Sequence, residues 1–369
     1  MGGDVSKPPL DRIPSHVAAL ADYEELARGH MSEAAWAYFA GGSGDEWTLR
    51  ENVAAFARLP LRQRVLRDLV GATTRTTLFG MELAAPILLA PVAFQKLAHP
   101  DGELATVAAA GALDTAMVVS TQASVTLEEI ATEATAPLWF QLYIQPDRDF
   151  TEALVRRAEQ AGYRALVVTL DAPVNGLRNR EQRAGFALPP GVEAVNLEGM
   201  RPPPPPSPDA LLFGTPLLER APGWADLAWL RGLTGLPLLA KGIADPADAR
   251  RALDVGIDGI IVSNHGGRTL DGVPAAIELL PAVVREVAGA TPVLVDGGVR
   301  RGADVLRALA LGADAVLVGR PCVFALAAAG APGVVHALRI LRAELELAMA
   351  LTGCADVASI DHSVLAIRR

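Results

Sequence analysis

Eight short apolar runs recur between residues 85 and 321, and they constrain the fold of this chain more than any other feature. They fall at 85–93, 115–121, 138–144, 165–171, 237–243, 259–265, 292–298 and 315–321. Each is close to strand length and almost continuously hydrophobic, as a parallel strand buried on both faces must be. Amphipathic stretches fill the gaps. In 149–162 the apolar Phe150, Ala153, Leu154, Ala158 and Ala161 keep helical spacing, and Gly162 ends the stretch. Residues 245–256 and 302–312 repeat the pattern. Eight such βα units predict an α/β chain closed into a (β/α)8 TIM barrel. The alternative, an open doubly wound sheet, would want a Gly-x-Gly-x-x-Gly loop after its first strand, and none is there.

The chain of 369 residues suits a single barrel domain spanning 1–369. Residues 1–15 read as a flexible lead-in, and 16–58 as helical with a break at Gly29 and a stop at Gly41, Gly42 and Gly44. Between the fourth and fifth runs lies a gap too long for one helix. Within it 183–222 reads as a solvated loop, with a proline run at 202–206. A net charge of −9 argues against a nucleic-acid partner. No apolar stretch has the ~18 uninterrupted residues of a membrane span, so no membrane partner is expected. The first six residues match the short Met-Gly-x-x-x-Ser acylation pattern, which chance often supplies. Two cysteines, Cys322 and Cys354, make no disulfide framework and point to a reducing, cytoplasmic compartment.

Polar residues gather where the apolar runs end, and the C-terminal ends of barrel strands build active sites. They are Gln141 and Tyr143, Thr169 and Asp171, Lys241, then Ser263, Asn264 and His265, then Asp296 and Arg300. One polar strand end is ordinary. Five are not, because burying Lys, Asp and His costs several kcal/mol unless they are paired. A lone histidine is usually a core residue. His265 instead stands before Gly266-Gly267-Arg268, where glycines admit a ligand and an arginine can grip a carboxylate. It is the candidate general base, with Asp171 to orient it. Arg178 is a second candidate carboxylate clamp, or a residue of a solvated loop. Asp296-Gly297-Gly298-Val299-Arg300 and Gly319-Arg320 open helices after the last two runs, a pattern that suits a phosphate. Lys241 is either a Schiff-base nucleophile or a fixed cation beside a cofactor that becomes anionic. None of the six histidines makes a His-x-x-x-His pair, so no metal is expected.

These motifs resemble the FMN-dependent L-2-hydroxy acid oxidases and dehydrogenases, a family that includes glycolate, lactate and hydroxymandelate oxidising enzymes. The most specific is Ser263-Asn264-His265-Gly266-Gly267-Arg268-x-Leu270-Asp271. It is supported by the stretch from Ala90 to Pro100, Gln141-Leu142-Tyr143, Leu239-Ala240-Lys241-Gly242 and Asp296-Gly297-Gly298-Val299-Arg300. The likeness spans residues 20–360. It implies FMN as cofactor, held by Ser120, Gln141, Thr169, Ser263 and main chain at Pro91, Val92 and Ala93. Lys241 would face the flavin, and Asp296, Gly298, Arg300, Gly319 and Arg320 the ribityl phosphate. His265 would be the base, backed by Asp171. Arg178, Arg268 and Tyr38 would hold the substrate carboxylate, and Tyr143 would stand near its hydroxyl.

The implied reaction takes an L-2-hydroxy acid to the 2-oxo acid, with dioxygen as acceptor and hydrogen peroxide as product. A dehydrogenase or a lactate-monooxygenase-like enzyme is the alternative within the family, and a Schiff-base lyase using Lys241 the alternative outside it. The likeness also implies a homo-oligomer, a tetramer. One departure bears on substrate. Glycolate oxidases carry Trp in Ser-x-Trp-Ala, where this chain has Ser120-Thr121-Gln122-Ala123. Gln122 should leave room for a substrate larger than glycolate, whereas Asp171-Ala172-Pro173-Val174-Asn175-Gly176 is nearer the lactate oxidase pattern.

Overall fold

The computed structural model describes residues 7–200 and 212–366. The acylation pattern at 1–6 and the proline run at 202–206 lie outside the described residues. Eight parallel strands close into a barrel: β3 (Ile87–Leu89), β4 (Met117–Ser120), β5 (Leu138–Leu142), β6 (Ala165–Thr169), β7 (Leu238–Ile243), β8 (Gly259–Val262), β9 (Val293–Asp296) and β10 (Ala315–Val318). They pair in chain order, and β10 returns to β3. Each lies inside one of the apolar runs, and all but β7 stop short of its end. The last residues of those seven runs, His265 and Asp171 among them, therefore belong to loops.

Side chains alternate across a strand, so only every second residue faces the barrel interior. One interior layer is Leu88, Val118, Trp139, Val167, Leu239, Ile261, Leu294 and Leu317, all buried together. Two residues further along the strands come Ala90, Ser120, Gln141, Thr169, Lys241, Ser263, Asp296 and Gly319. The same geometry that packs an apolar floor thus carries Gln141, Thr169, Lys241, Ser263 and Asp296, one layer up, to the C-terminal mouth.

The opposite end is closed by a hairpin that the sequence reading did not anticipate, β1 (Thr76–Leu78) with β2 (Met81–Leu83). Leu78, Met81 and Leu83 pack beneath the interior layer. Trp139 donates its indole N–H to the Met81 sulfur at 3.4 Å, and Phe79 meets the Trp139 ring edge to face at 5.7 Å.

Helices form where caps allow. Asp147 accepts from the N–H groups of Asp149 and Phe150 and starts Arg148–Gln160, and Asp245 does the same for Pro246–Asp254 through Ala247. The N-terminal segment forms three helices, Leu20–His30, Glu33–Ala40 and Trp47–Ala57. The first break was expected at Gly29, but that residue stays helical. The break comes at Ser32, whose hydroxyl accepts from Ala35 N–H and caps the next helix. Residues 7–15, expected as a flexible lead-in, bond to the body through Lys7 N–H to Gly29 O and Leu10 N–H to Ala328 O. In the long segment after β6, Asn196 is buried. It accepts from Leu127 N–H and donates to Val125 O.

One helix among the described residues, Arg320–Thr352, is long and apolar enough to cross a membrane. It is broken at Ala329–Gly330, and most of its apolar stretch lies inside the protein. There it packs on Leu20–His30, Gly102–Ala112 and Gly302–Ala310.

The hairpin plug gives a test remote from the mouth. Met81→Ala should cost about 2–5 kcal/mol, seen as a lower midpoint of thermal unfolding. Cofactor affinity, which depends on the other end of the barrel, should not change.

Candidate active site

A cavity of about 380 Å³ opens at the C-terminal mouth, within the range of small-molecule sites. Its inner wall includes Ser120, Gln141, Thr169, Lys241 and Asp296. Gln141 is held at both ends of its amide. The Nε2 group donates to Thr169 Oγ1 at 3.0 Å, and Oε1 accepts from the Ser120 hydroxyl and Thr121 N–H, each at 3.2 Å. A planar amide fixed in this way can meet a planar polar ligand without reorganising.

Lys241 is buried and pairs with Asp296 Oδ2 at 2.9 Å. Its Nζ also donates to Ser263 Oγ at 2.9 Å. Burial alone would push the ammonium down, but Asp296 and Asp171 outweigh it and raise its affinity for the proton. A lysine held protonated is a poor nucleophile, so the Schiff-base alternative loses its basis. The other Asp296 oxygen, Oδ1, is buried without a partner, as expected of a group that awaits a donor from a ligand. Ser263, expected against the cofactor, is buried and gives its hydroxyl oxygen to protein groups. Its Oγ accepts from both Lys241 Nζ and His265 N–H, at 2.9 and 3.0 Å, and so ties these two residues together.

His265 adopts a left-handed φ of 57°, which turns its ring over the cavity. Nδ1 lies 2.9 Å from Asp171 Oδ1, so that nitrogen donates to the carboxylate and Nε2 is left to face the cavity. The Tyr143 hydroxyl is 3.5 Å from Nε2. Burial pushes the Asp171 carboxyl up, but His265 and then Lys241 outweigh this and hold it below the usual range. Burial pushes Tyr143 up to about 12, so it is a neutral phenol that can donate. Asp171 stands behind His265, outside the cavity wall. It is accommodated by Gly242, where a Cβ would lie 2.5 Å from the Asp171 carboxyl carbon.

Asn52, on Trp47–Ala57, was missed by the sequence reading. Its amide exchanges two hydrogen bonds of 2.8 Å with Asn264, the residue before His265. Asp271, the last residue of the specific motif, accepts from Thr48 N–H at 2.8 Å and Asp45 N–H at 3.0 Å. The motif therefore fastens the N-terminal helices over the mouth.

Those helices deliver Tyr38. Its ring stacks on Phe186 at 4.8 Å and carries the Arg268 guanidinium 4.9 Å from its centroid. Arg268 Nη1 donates to Tyr38 O and Gly41 O. Arg178, Arg268, Tyr38, Tyr143, Gln122 and His265 all line the cavity. Glu181, also unforeseen, accepts from both arginines. Its signal was there to read, an acid three residues after Arg178 and so on the same face of a helical turn. Burial, with Arg268 nearby, lowers Arg178 to about 10.

The far end suits an anion. Pro91, Val92, Ala93, Gly298, Arg300, Gly319 and Arg320 line it. The N–H groups of Gly298 and Gly319 bond to no other group among the described residues. Arg300 is half-buried, and desolvation lowers its pKa. Its guanidinium bonds only to Val299 O among the described residues. Arg320 differs. Three of its N–H groups donate to Phe39 O, Gly266 O and Gly41 O, at 2.9, 2.9 and 2.8 Å. Gly298, with φ of 86°, also lets Asn52 O approach to where a Cβ would stand 1.9 Å away.

Residues 27–367 match the family described as FMN-dependent dehydrogenase, and the chain belongs to that family. It is 49% identical to an L-lactate oxidase of Alicycliphilus denitrificans over 361 residues, covering 97% of this chain and 98% of that one. It is 45% identical to glycolate oxidase 1 of Zea mays over 347 residues, covering 93% and 94%. A solved mandelate oxidase with (S)-2-phenylpropionate superposes with a TM-score of 0.85 at 45% identity, over 94% of this chain and 97% of that one. FMN is the cofactor. The residues present fit it, with a fixed amide, a buried cation and an orphaned acceptor at one end and an anion site at the other.

Two outcomes test this geometry. Gly242→Ala should displace the Asp171 carboxyl and slow reduction of the bound FMN by about 10²-fold, with FMN still bound. Asp171, held low by its neighbours, contributes stability that is complete above the unfolded carboxylate value of about 3.9 and is lost as pH falls through its folded value. Acid titration should therefore show the stability gap between wild type and Asp171→Asn closing only below about pH 4.

Proposed function

We propose that this protein oxidises an L-2-hydroxy acid to the 2-oxo acid and passes the electrons to dioxygen, giving hydrogen peroxide. One observation carries the reading. His265, held at Nδ1 by Asp171, turns Nε2 towards the Tyr143 hydroxyl in a cavity that Arg178 and Arg268 also line. FMN, when bound, supplies the two-electron acceptor. Arg268, Arg178 and Tyr38 hold the substrate carboxylate, since guanidinium groups pair with carboxylates in fixed orientation. Tyr143 donates to the substrate hydroxyl. His265 accepts the proton that the substrate gives up, and Asp171 stabilises the imidazolium. Lys241, fixed as a cation, stabilises negative charge that develops beside it.

The substrate side of the cavity is formed by Gln122, Val174, Phe186 and Leu188. That mixed wall, with no indole at position 122, favours a side chain larger than the hydrogen of glycolate. The lactate oxidases at 48–50% identity, against 44–45% for the glycolate oxidases, favour lactate as the reference substrate. A reducing cytoplasm suits the two free, buried cysteines. A homotetramer belongs to the same reading, and sedimentation of the holoenzyme measures it.

The test is anaerobic bleaching of the flavin absorbance by glycolate, L-lactate, L-2-hydroxyoctanoate and L-mandelate. L-Lactate should bleach it at least tenfold faster than glycolate. Asp171→Asn should slow that step by two to four orders of magnitude, as losing the carboxylate behind a catalytic histidine does elsewhere. A yellow protein that no 2-hydroxy acid bleaches would overturn the reading.

A further inference from the structure

Glu181 stands in the cavity wall with its Oε1 between the two arginines that the oxidase reading assigns to the substrate. Arg268 Nη2 lies 3.3 Å from it and Arg178 Nη1 3.5 Å. Both contacts are longer than the 2.7–2.9 Å of a tight ammonium–carboxylate or guanidinium–carboxylate bond. All three side chains are largely buried, at 15–16% exposure, so solvent screens their charges weakly. Arg268 Nη1 is committed to the carbonyls of Tyr38 and Gly41. Its Nε and Nη2 are therefore the groups it can offer a ligand, and Glu181 already holds one N–H of Nη2. Arg178 has no such anchor. Its Nε is buried without a partner, and its contact with Glu181 spans three residues of one short turn.

We propose that Glu181 is an internal carboxylate that occupies the arginine pair between turnovers and competes there with the carboxylates of substrate and product. Two guanidinium groups and one carboxylate leave a net charge of +1, which a bound 2-oxo acid cancels. Without the Glu181 charge the pair would carry +2 and grip the same anion harder. The residue therefore weakens binding of every 2-hydroxy and 2-oxo acid, and it favours release of product. It does this without touching His265, since among the described residues its carboxylate bonds only to the two arginines.

This inference rests on the oxidase reading for the identity of the competing anion, and the experiment separates the two. FMN-loaded wild type, Glu181→Gln, Glu181→Asp and Glu181→Ala are titrated with pyruvate, a 2-oxo acid that does not reduce the flavin. Binding is read as a shift in visible absorbance. Glu181→Gln keeps an acceptor for both arginines but loses the charge, and should bind pyruvate at least tenfold more tightly than wild type. Glu181→Asp keeps the charge but withdraws it by one methylene, and should also bind more tightly. Product inhibition in turnover should sharpen to match. Pyruvate affinity equal to or below wild type in both variants would overturn the proposal. So would loss of binding in Glu181→Ala together with wild-type affinity in Glu181→Gln, the signature of a purely positioning role. A wild type bleached by lactate whose variants bind no more tightly removes only the role of Glu181. A wild type that neither binds pyruvate nor is bleached by any 2-hydroxy acid removes the oxidase reading itself.

Discussion

A strand in a closed barrel can show the interior only every second side chain, and the mouth of this protein follows from that restriction. Because Leu239 and Ile261 face inward to form the apolar floor, Lys241 and Ser263 must face inward one layer above. Because Trp139 and Val167 do so, Gln141 and Thr169 follow. A shift of one residue would turn Lys241 in β7, or Gln141 in β5, to the helix-covered outside. The β7 irregularity between Lys241 and Ile243 comes just past the interior position, at the glycine that makes room for Asp171. Packing of the lower barrel thus holds the chemistry of the upper one in register.

Stacking ionisable groups at that level has a cost that pairing must offset. Lys241 and Asp296 share an ion pair, Asp171 and His265 a hydrogen bond, and Ser263 Oγ joins the two sets through Lys241 Nζ and His265 N–H. The network is not fully closed. Asp296 Oδ1 and Asp171 Oδ2 are buried acceptors without donors. Such atoms cost about 1–3 kcal/mol each when left bare, a cost that packing of the barrel carries. In a protein whose other buried polar groups are almost all satisfied, that marks these carboxylates as belonging to a site rather than to the core.

The strands and their polar ends were legible in the sequence because burial on both faces writes itself as continuous apolar runs, and exceptions inside such runs stand out. Lys241 in Leu239-Ala240-Lys241-Gly242 is the plainest case. Asn52 was not legible. It lies 212 residues from the Asn264 it pairs with, on a helix whose own pattern says nothing of a partner. Ser263 was legible as a site residue but not as a supporting one, because alternation gives depth along the barrel and not which neighbour claims a hydroxyl. The β1–β2 hairpin escaped because three-residue strands carry too little period to register. Gly29 misplaced a helix end because a glycine is tolerated one residue before the end of a helix, while the decisive signal was the capping Ser32 beyond it.

The four arginines of the cavity show how one residue type divides between binding and building. Arg300 and Arg178 keep most of their N–H groups for a ligand. Arg320 gives three of its five N–H groups to carbonyls of Phe39, Gly41 and Gly266. Those carbonyls flank Tyr38 on one side and follow His265 on the other. A single planar guanidinium therefore joins the start of the last helix, the end of the Glu33–Ala40 helix and the turn that carries the base. Lysine could not do this, since a point charge on a flexible stem has no fork to hold three carbonyls in fixed directions. Anion site, base and substrate-facing tyrosine consequently share one frame at Arg320.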